Sequence, residues 1–146
     1  MIRIQLVDDE PNILSSLRRL LKPQDWQIDT FNNVEDALGS LLEHEYAVIV
    51  SDYQMPTADG VTYLQFAKQK QPNAIRLVLS AYGDRESMIK AINQAEVYRY
   101  LSKPWDDYEL VAAIKSAVDL YQLHKENQQL REENDAQRAL IENWPR

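Results

Sequence analysis

The chain has 146 residues, no cysteine and a formal net charge of -7 at pH 7, so it suits one domain plus an appendage in a reducing compartment. The negative charge opposes nonspecific attraction to nucleic acid or to an anionic membrane, and we expect no direct contact with either. No apolar run approaches the roughly 20 residues that cross a bilayer and no leader follows Met1, so we expect a soluble, cytoplasmic protein.

Short apolar runs alternate with segments of helical period along most of the chain. The runs predicted as strands are IRIQLV, WQIDTF, YAVIVS, IRLVLS and VYRYLS, and the helical segments lie near 11–22, 34–44, 60–70, 84–95 and from 106 onward. Five βα units predict an α/β fold, a doubly wound five-stranded parallel sheet with helices on both faces. The first, third and fourth strands are almost wholly apolar and the second alternates, which favours the strand order 2-1-3-4-5.

Acidic residues follow two strands that this order makes neighbours. The third strand ends in Asp52, before the structure breakers Pro56 and Gly60, and the first strand is followed by Asp8, Asp9 and Glu10. The connections of these two strands leave on opposite faces, so the carboxylates are expected to share one crevice. Like charges brought together need a cation or a bound proton, and hard oxygen ligands suit Mg²⁺ better than zinc. Taken alone, DDE could also be a solvated turn at a helix start.

The ends of the fourth and fifth strands add a hydroxyl and an amine. The fourth strand ends in VLSAYGD, with Ser80 at the rim, and the fifth in YRYLSKPW, with Lys103 before Pro104. Each alone reads as a turn residue or a surface lysine, but together four of five strand ends present polar groups to one crevice. The Lys103–Pro104 bond can be cis or trans.

In this arrangement the chain resembles the receiver domain of two-component response regulators. The resemblance covers residues 1–121 and rests on four motifs in order: DDE after the first strand, DYQMPTADG after the third, SA after the fourth and KP after the fifth. It implies a flavodoxin-like receiver fold and a histidine kinase as phosphodonor. It also implies a signalling domain that is not an enzyme, apart from taking part in its own phosphoryl transfer and hydrolysis.

The resemblance implies a role for each matching residue. Asp52 is expected to accept the phosphoryl group, and Mg²⁺ is expected on Asp9, Asp52 and the main-chain carbonyl of Gln54, with Asp8 acting through water. The residues expected to contact the phosphoryl group or to act in the family's switch are Ser80, Ala81, Tyr100, Lys103 and Pro104.

Two of these switch residues leave alternatives open. Ser80 stands where threonine is frequent in the family, which keeps the hydroxyl and loses the methyl group. Tyr100 lies three residues before the lysine, where the family has an aromatic that follows the hydroxyl inward. A plain aromatic position on an edge strand explains Tyr98 and Tyr100 equally well.

Residues 122–146 are predicted to continue the last receiver helix as a coiled coil. From Leu120 the a positions are Leu120, Asn127, Asn134 and Ile141, and the d positions are Leu123, Leu130, Gln137 and Trp144. The g positions Asp119, Glu126 and Glu133 pair with the e positions His124, Arg131 and Arg138, always acid with base. This pattern favours a parallel homodimer, and the alternative is a single solvated helix with its own charge pairs.

The last receiver helix also bears on the output. YRYLSKPWDDYEL followed by LYQLHKENQQL is similar to receivers attached to HD-type cyclic-di-GMP phosphodiesterases, to hydrogenase-type transcription regulators and to protein phosphatases. The alternative is a receiver-like dimerisation or adaptor module that acts through protein partners without phosphorylation.

A flavodoxin-type cofactor binder is disfavoured because DDEPN would repel phosphate. A haloacid-dehalogenase-type phosphatase is disfavoured because Gln54 stands where a second aspartate is needed.

Overall fold

The computed structural model describes residues 1–55, 59–81 and 85–145, so Pro56 lies outside the described residues. Its strands are β1 Arg3–Val7, β2 Gln27–Phe31, β3 Val48–Asp52, β4 Ile75–Ser80 and β5 Arg99–Ser102. Its helices are α1 Pro11–Leu21, α2 Val34–Glu43, α3 Gly60–Lys70, α4 Arg85–Ala95 and α5 Asp107–Glu142. The strands form one parallel sheet in the order β2-β1-β3-β4-β5, which confirms the predicted fold and strand order.

The sheet separates two hydrophobic layers. On one face α1 and α5 pack against Leu6, Val50 and Leu77, and on the other α2 and α3 pack against Val7 and Ile49. Strands β3 and β4 are buried along their whole length, and β1 is buried after its first residue. The edge strands β2 and β5 are partly exposed, which is why their sequences carry more polar residues.

Three helices begin with a side-chain cap directly after a loop. Asn33 accepts a hydrogen bond from the backbone N–H of Asp36 before α2, at 2.8 Å. Asp59 accepts from the N–H of Val61 before α3, at 2.9 Å, and Asp106 accepts from the N–H of Glu109 before α5, at 2.8 Å. These caps satisfy helical N–H groups that have no partner inside the helix.

Two buried polar side chains interrupt the apolar strands. Gln5 of β1 donates to the carbonyl of Ala37 and to Ser40 Oγ, and its side-chain oxygen accepts from the hydroxyl of Tyr63. Arg76 of β4 donates to three backbone carbonyls, those of Ala74, Ala95 and Glu96. Burial is therefore compensated by hydrogen bonds in both cases.

Helix α5 is 36 residues long, and only its first half belongs to the core. Leu110, Ile114 and Val118 are buried against the sheet, whereas every residue from Lys125 to Pro145 is exposed. We call residues 122–142 the α5 extension. In the part of the chain that the structure describes, no helix is both long enough and apolar enough to span a membrane.

Candidate functional site

The predicted carboxylates meet at the carboxyl edge of β1 and β3. These strands pair in parallel with Val7 opposite Ser51, so the next residues, Asp8 and Asp52, lie side by side. Both are buried, with 1% of Asp8 and 7% of Asp52 exposed. The sheet register therefore holds two carboxylates together in a partly dehydrated place.

Lys103 reaches this pair from the end of β5. Its Nζ lies 2.7 Å from Asp8 Oδ2 and 3.3 Å from Asp52 Oδ1, and its backbone N–H donates to the carbonyl of Ser80 at 2.9 Å. Burial disfavours the charged amine, but the two carboxylates outweigh burial and raise the pKa of Lys103. The Lys103–Pro104 bond is cis. The amine is thus a fixed positive charge between the two acids.

The surroundings disfavour the ionised form of Asp52. Burial is the largest cause and repulsion by Asp8 comes next, and together with a hydrogen bond involving Asp9 they raise the pKa of Asp52 to about 6. Attraction by Lys103 opposes this rise. The ammonium therefore compensates the acidic crevice only in part, and a further positive charge would stabilise the Asp52 carboxylate.

The oxygen atoms of the crevice fit a hard divalent cation. One carboxylate oxygen from each of Asp8, Asp9 and Glu10 lies within 4.8 Å of the others, and the backbone N–H of Glu10 donates to Asp8 Oδ1 at 2.9 Å. Three carboxylates, those of Asp8, Asp9 and Asp52, face one ammonium, which leaves an excess of two negative charges for a cation. Glu10 is exposed and was not among the predicted ligands.

Gln54 lies beside this acidic group. It forms an isolated antiparallel bridge with Asp59, and both line a solvent-open cavity together with Asp9. The bridge joins the main chain of Gln54 to Asp59, the residue that caps α3, and the role of the Gln54 carbonyl as a metal ligand stays a prediction. The side chain of Gln54 is exposed.

Gly60, which the sequence indicates only as a structure breaker, packs against the backbone of Asp52. It is the first residue of α3, and its N–H donates to the carbonyl of Tyr53 at 3.0 Å. A Cβ at this position would lie 3.1 Å from Ser51 Oγ and 2.9 Å from the carbonyl carbon of Asp52, and would overlap the carbonyl oxygen. Only glycine lets α3 begin this close to the end of β3. The signal in the sequence was Asp59-Gly60, a capping residue followed by a glycine at a helix start.

The predicted switch residues lie on the neighbouring strands. Ser80 is buried at the end of β4, one position beyond Leu79, which pairs with Asp52, and Ala81 is exposed after it. Tyr100 of β5 is 40% exposed. A cavity of about 530 Å³ lies beside Tyr100 between α4, β5 and α5 and also contacts Pro104. Tyr98 lines the same cavity, so the geometry distinguishes the two tyrosines no better than the sequence did.

The predicted dimer residues all lie on α5. Leu120 is half-buried and packs against the core, whereas Leu123 and Leu130 are 50% and 52% exposed. The later seam positions Asn127, Asn134 and Ile141 are exposed as well. The helix ends at Glu142, so the d position assigned to Trp144 falls outside it. The extension therefore carries exposed leucines and an exposed isoleucine on a largely polar helix.

Comparison with known proteins agrees with this geometry. The hydrogenase transcriptional regulatory protein HoxA of Bradyrhizobium diazoefficiens is 37% identical over 126 residues, which cover 86% of this chain and 26% of that protein. The signal receiver domain of an HD domain-containing protein from Pseudomonas fluorescens is 36% identical with a TM-score of 0.81, covering 86% of this chain and 92% of that one. The beryllofluoride-activated NtrC4 receiver domain dimer is 33% identical with a TM-score of 0.77, covering 83% and 99%.

The matched segment includes β2 to β5, all of β1 except Arg3, and the carboxylates of the crevice. Residues 4–115 match the model of the response regulator receiver domain. The chain spans about a quarter of the length of the curated relatives HoxA and NtrC. Asp8, Asp52 and Lys103 all lie within the matched residues, at the ends of strands in the order this fold requires. The chain therefore belongs to the response regulator receiver domain family.

Proposed function

We propose that the chain receives a phosphoryl group from a histidine kinase on Asp52. The observation that carries this proposal is the position of Asp52, buried beside Asp8 with the Lys103 amine in contact with both carboxylates. Such a site holds one carboxylate against acidic neighbours and supplies a positive charge to an incoming anion. The site is therefore suited to accept a phosphoryl group, which brings negative charge with it.

In the proposed transfer an oxygen of the Asp52 carboxylate attacks the phosphorus of a phosphohistidine. The new oxygen–phosphorus bond forms as the phosphorus–nitrogen bond breaks, and the imidazole leaves with the electron pair of that bond. Lys103 stays protonated throughout and neutralises charge on a phosphoryl oxygen. Mg²⁺ held by Asp9, Asp52 and the carbonyl of Gln54, with Asp8 through water, would neutralise the charge on the phosphoryl oxygens.

Phosphorylation of Asp52 is proposed to drive a local switch. The phosphoryl group adds nearly two negative charges beside Ser80 and Lys103, so the Ser80 hydroxyl would move towards it as a hydrogen-bond donor. Tyr100 would then turn inward from its half-exposed position, with Ala81 and Pro104 bounding the segments that move. The adjacent cavity of about 530 Å³ supports this step because it offers room for a ring.

The α5 extension is proposed to carry this change to an output through a parallel coiled coil. The exposed leucines of the a and d positions and the acid–base pairing of the g and e positions support a homodimer. We propose an output of the transcription-activator, HD-type phosphodiesterase or phosphatase kind, the first two of which agree with the names of similar proteins. The exposed leucines also support a second candidate, a dimerisation or adaptor module that works without phosphorylation.

Intact-mass measurement with acetyl phosphate and Mg²⁺ separates these two functions. We expect the chain to gain one phosphoryl group, and Asp52→Asn to gain none, because an amide cannot replace the nucleophilic carboxylate. Asp25→Asn is the matched control, since it makes the same change at an exposed position before β2 and leaves the nucleophile untouched. A chain that gains no mass would leave only the adaptor function. An Asp52→Asn variant that gains as much as the wild type would remove Asp52 as the acceptor.

A further inference from the structure

Helix α5 stays attached to the receiver beyond the end of the hydrophobic core. Tyr121 donates its hydroxyl to Glu45 Oε1 at 2.8 Å, and Lys125 Nζ lies 2.8 Å from the same oxygen. One turn further on, the side-chain oxygen of Gln128 accepts a hydrogen bond from Asn73 Nδ2. Three side chains of α5 therefore hold two loops of the receiver.

The two loop residues lie at the edge of the sheet opposite to the carboxylate crevice. Glu45 is in the connection from α2 to β3, and Asn73 is in the connection from α3 to β4. Both connections lead into the central, fully buried strands that carry Asp52 and Ser80 at their other ends. Each loop is thus joined to the site through one rigid strand.

The contacts occupy one face of the helix, and the predicted dimer seam occupies another. Tyr121, Lys125 and Gln128 are separated by four and three residues, which continues the stripe of buried residues on α5. At about 100° per residue, their mean direction is rotated by roughly 160° from that of the a and d positions. The helix can therefore contact its own receiver and a second helix at the same time.

We propose that Glu45 and Asn73, with Tyr121, Lys125 and Gln128, form a clamp that fixes the direction and rotational phase of the α5 extension against the receiver. The proposal rests on the proposed function only in taking the extension as the element that transmits the effect of phosphorylation to an output. The clamp itself needs neither phosphorylation nor a dimer.

The clamp is built from weak contacts that act on one helix. The Glu45 and Lys125 side chains are 56% and 43% exposed, so their ion pair is largely solvated. The hydrogen bond from Lys125, followed by that from Tyr121, holds the pKa of Glu45 below its usual value, so the carboxylate is ionised at neutral pH. Exposed pairs of this kind contribute little to global stability. Their effect is expected in the orientation of the extension, which has no other described contact with the receiver beyond Gln128.

The absence of cysteine makes orientation directly measurable. Cysteines introduced at the exposed positions Ser16 on α1 and Asp135 on the extension give one pair of spin labels per chain. Dilution with unlabelled chain confines the measured distances to one chain even in a dimer. We expect one narrow distance distribution for the labelled wild type and loss of that narrow peak in Glu45→Ala. Glu43→Ala is the matched control, because it removes the same charge nearby and Glu43 forms no ion pair among the described residues.

Hydrogen exchange provides a second measurement without labels. Amide exchange over residues 119–130 should rise roughly three- to ten-fold in Glu45→Ala, as loss of an exposed ion pair and a hydrogen bond implies. Tyr121→Phe removes one hydroxyl and should give a smaller rise, and Glu43→Ala should give none. Unchanged distances and exchange in Glu45→Ala, or an already broad distribution in the wild type, would overturn the clamp. Phosphoryl uptake by the same variants tests the proposed function separately, because Glu45 and Asp52 lie at opposite edges of the sheet.

Discussion

Gly60→Ala tests whether the close approach of α3 to β3 positions Asp52. The added Cβ would lie 2.9 Å from the carbonyl carbon of Asp52, whereas carbon atoms in contact prefer about 3.5 Å or more, and it would overlap the carbonyl oxygen, so the backbone must move by well over about 0.6 Å. Forcing an extra methyl group into a packed place costs about 1–3 kcal/mol. Because the displaced backbone carries the proposed nucleophile, we also expect phosphorylation by acetyl phosphate to slow by about ten- to a hundred-fold.

Gly39→Ala is the matched control for this change. Gly39 lies inside α2, and a Cβ there would meet nothing within 4 Å. Alanine should therefore stabilise the helix by about 0.5–1 kcal/mol and leave phosphorylation unchanged. Urea unfolding gives both free energies and intact mass gives the rates. A Gly60→Ala chain that unfolds and reacts like the wild type, or a Gly39→Ala chain that loses as much stability, would refute the reasoning.

Three further outcomes are expected. Asp9→Ala should weaken Mg²⁺ binding more than Glu10→Ala, because only Asp9 is among the predicted metal ligands, and equal losses in a metal titration would contradict this. In EDTA, Lys103→Met should lower the free energy of unfolding by about 3–5 kcal/mol, because it leaves buried carboxylates uncompensated. Adding Mg²⁺ should then raise the melting temperature of this variant more than that of the wild type. Changing Glu126 and Glu133 to lysine should weaken dimerisation in sedimentation at low salt, and changing Arg131 and Arg138 to glutamate should restore it, although each exposed pair contributes only about 0.2–1 kcal/mol. A wild-type chain that stays monomeric would refute the coiled coil, and a dimer indifferent to these changes would move the interface onto the receiver.

The fold could be predicted because hydrophobic pattern and chain topology decide it together. Almost wholly apolar runs identified β3 and β4 as central strands, and the neighbouring positions of β1 and β3 brought Asp8 to Asp52. Lys103 followed from the same logic, since the ends of parallel strands share one edge. Each of these conclusions depends on residues whose burial is visible as a pattern in the sequence.

What the sequence did not reveal depends on partners far away in the chain. The buried Arg76 of β4 is explained only by the backbone carbonyls at the end of α4, which accept its hydrogen bonds. The buried Gln5 of β1 is explained only by Tyr63 of α3, whose hydroxyl donates to its side-chain oxygen. Gly60 needed the position of the Asp52 carbonyl. Polar contacts such as that of Tyr121 with Glu45 have no periodic signal, because solvated side chains carry no pattern of burial.

The uninterrupted length of α5 makes it a lever arm. Neither glycine nor proline occurs between Asp107 and Glu142, so the helix has no built-in hinge. From Tyr121 to its end the helix rises about 32 Å at 1.5 Å per residue, so a tilt of about 10° at the receiver displaces its far end by roughly 5 Å. A rotation too small to alter the packing of the sheet therefore becomes, at the far end of the helix, a displacement as large as the spacing between two β-strands.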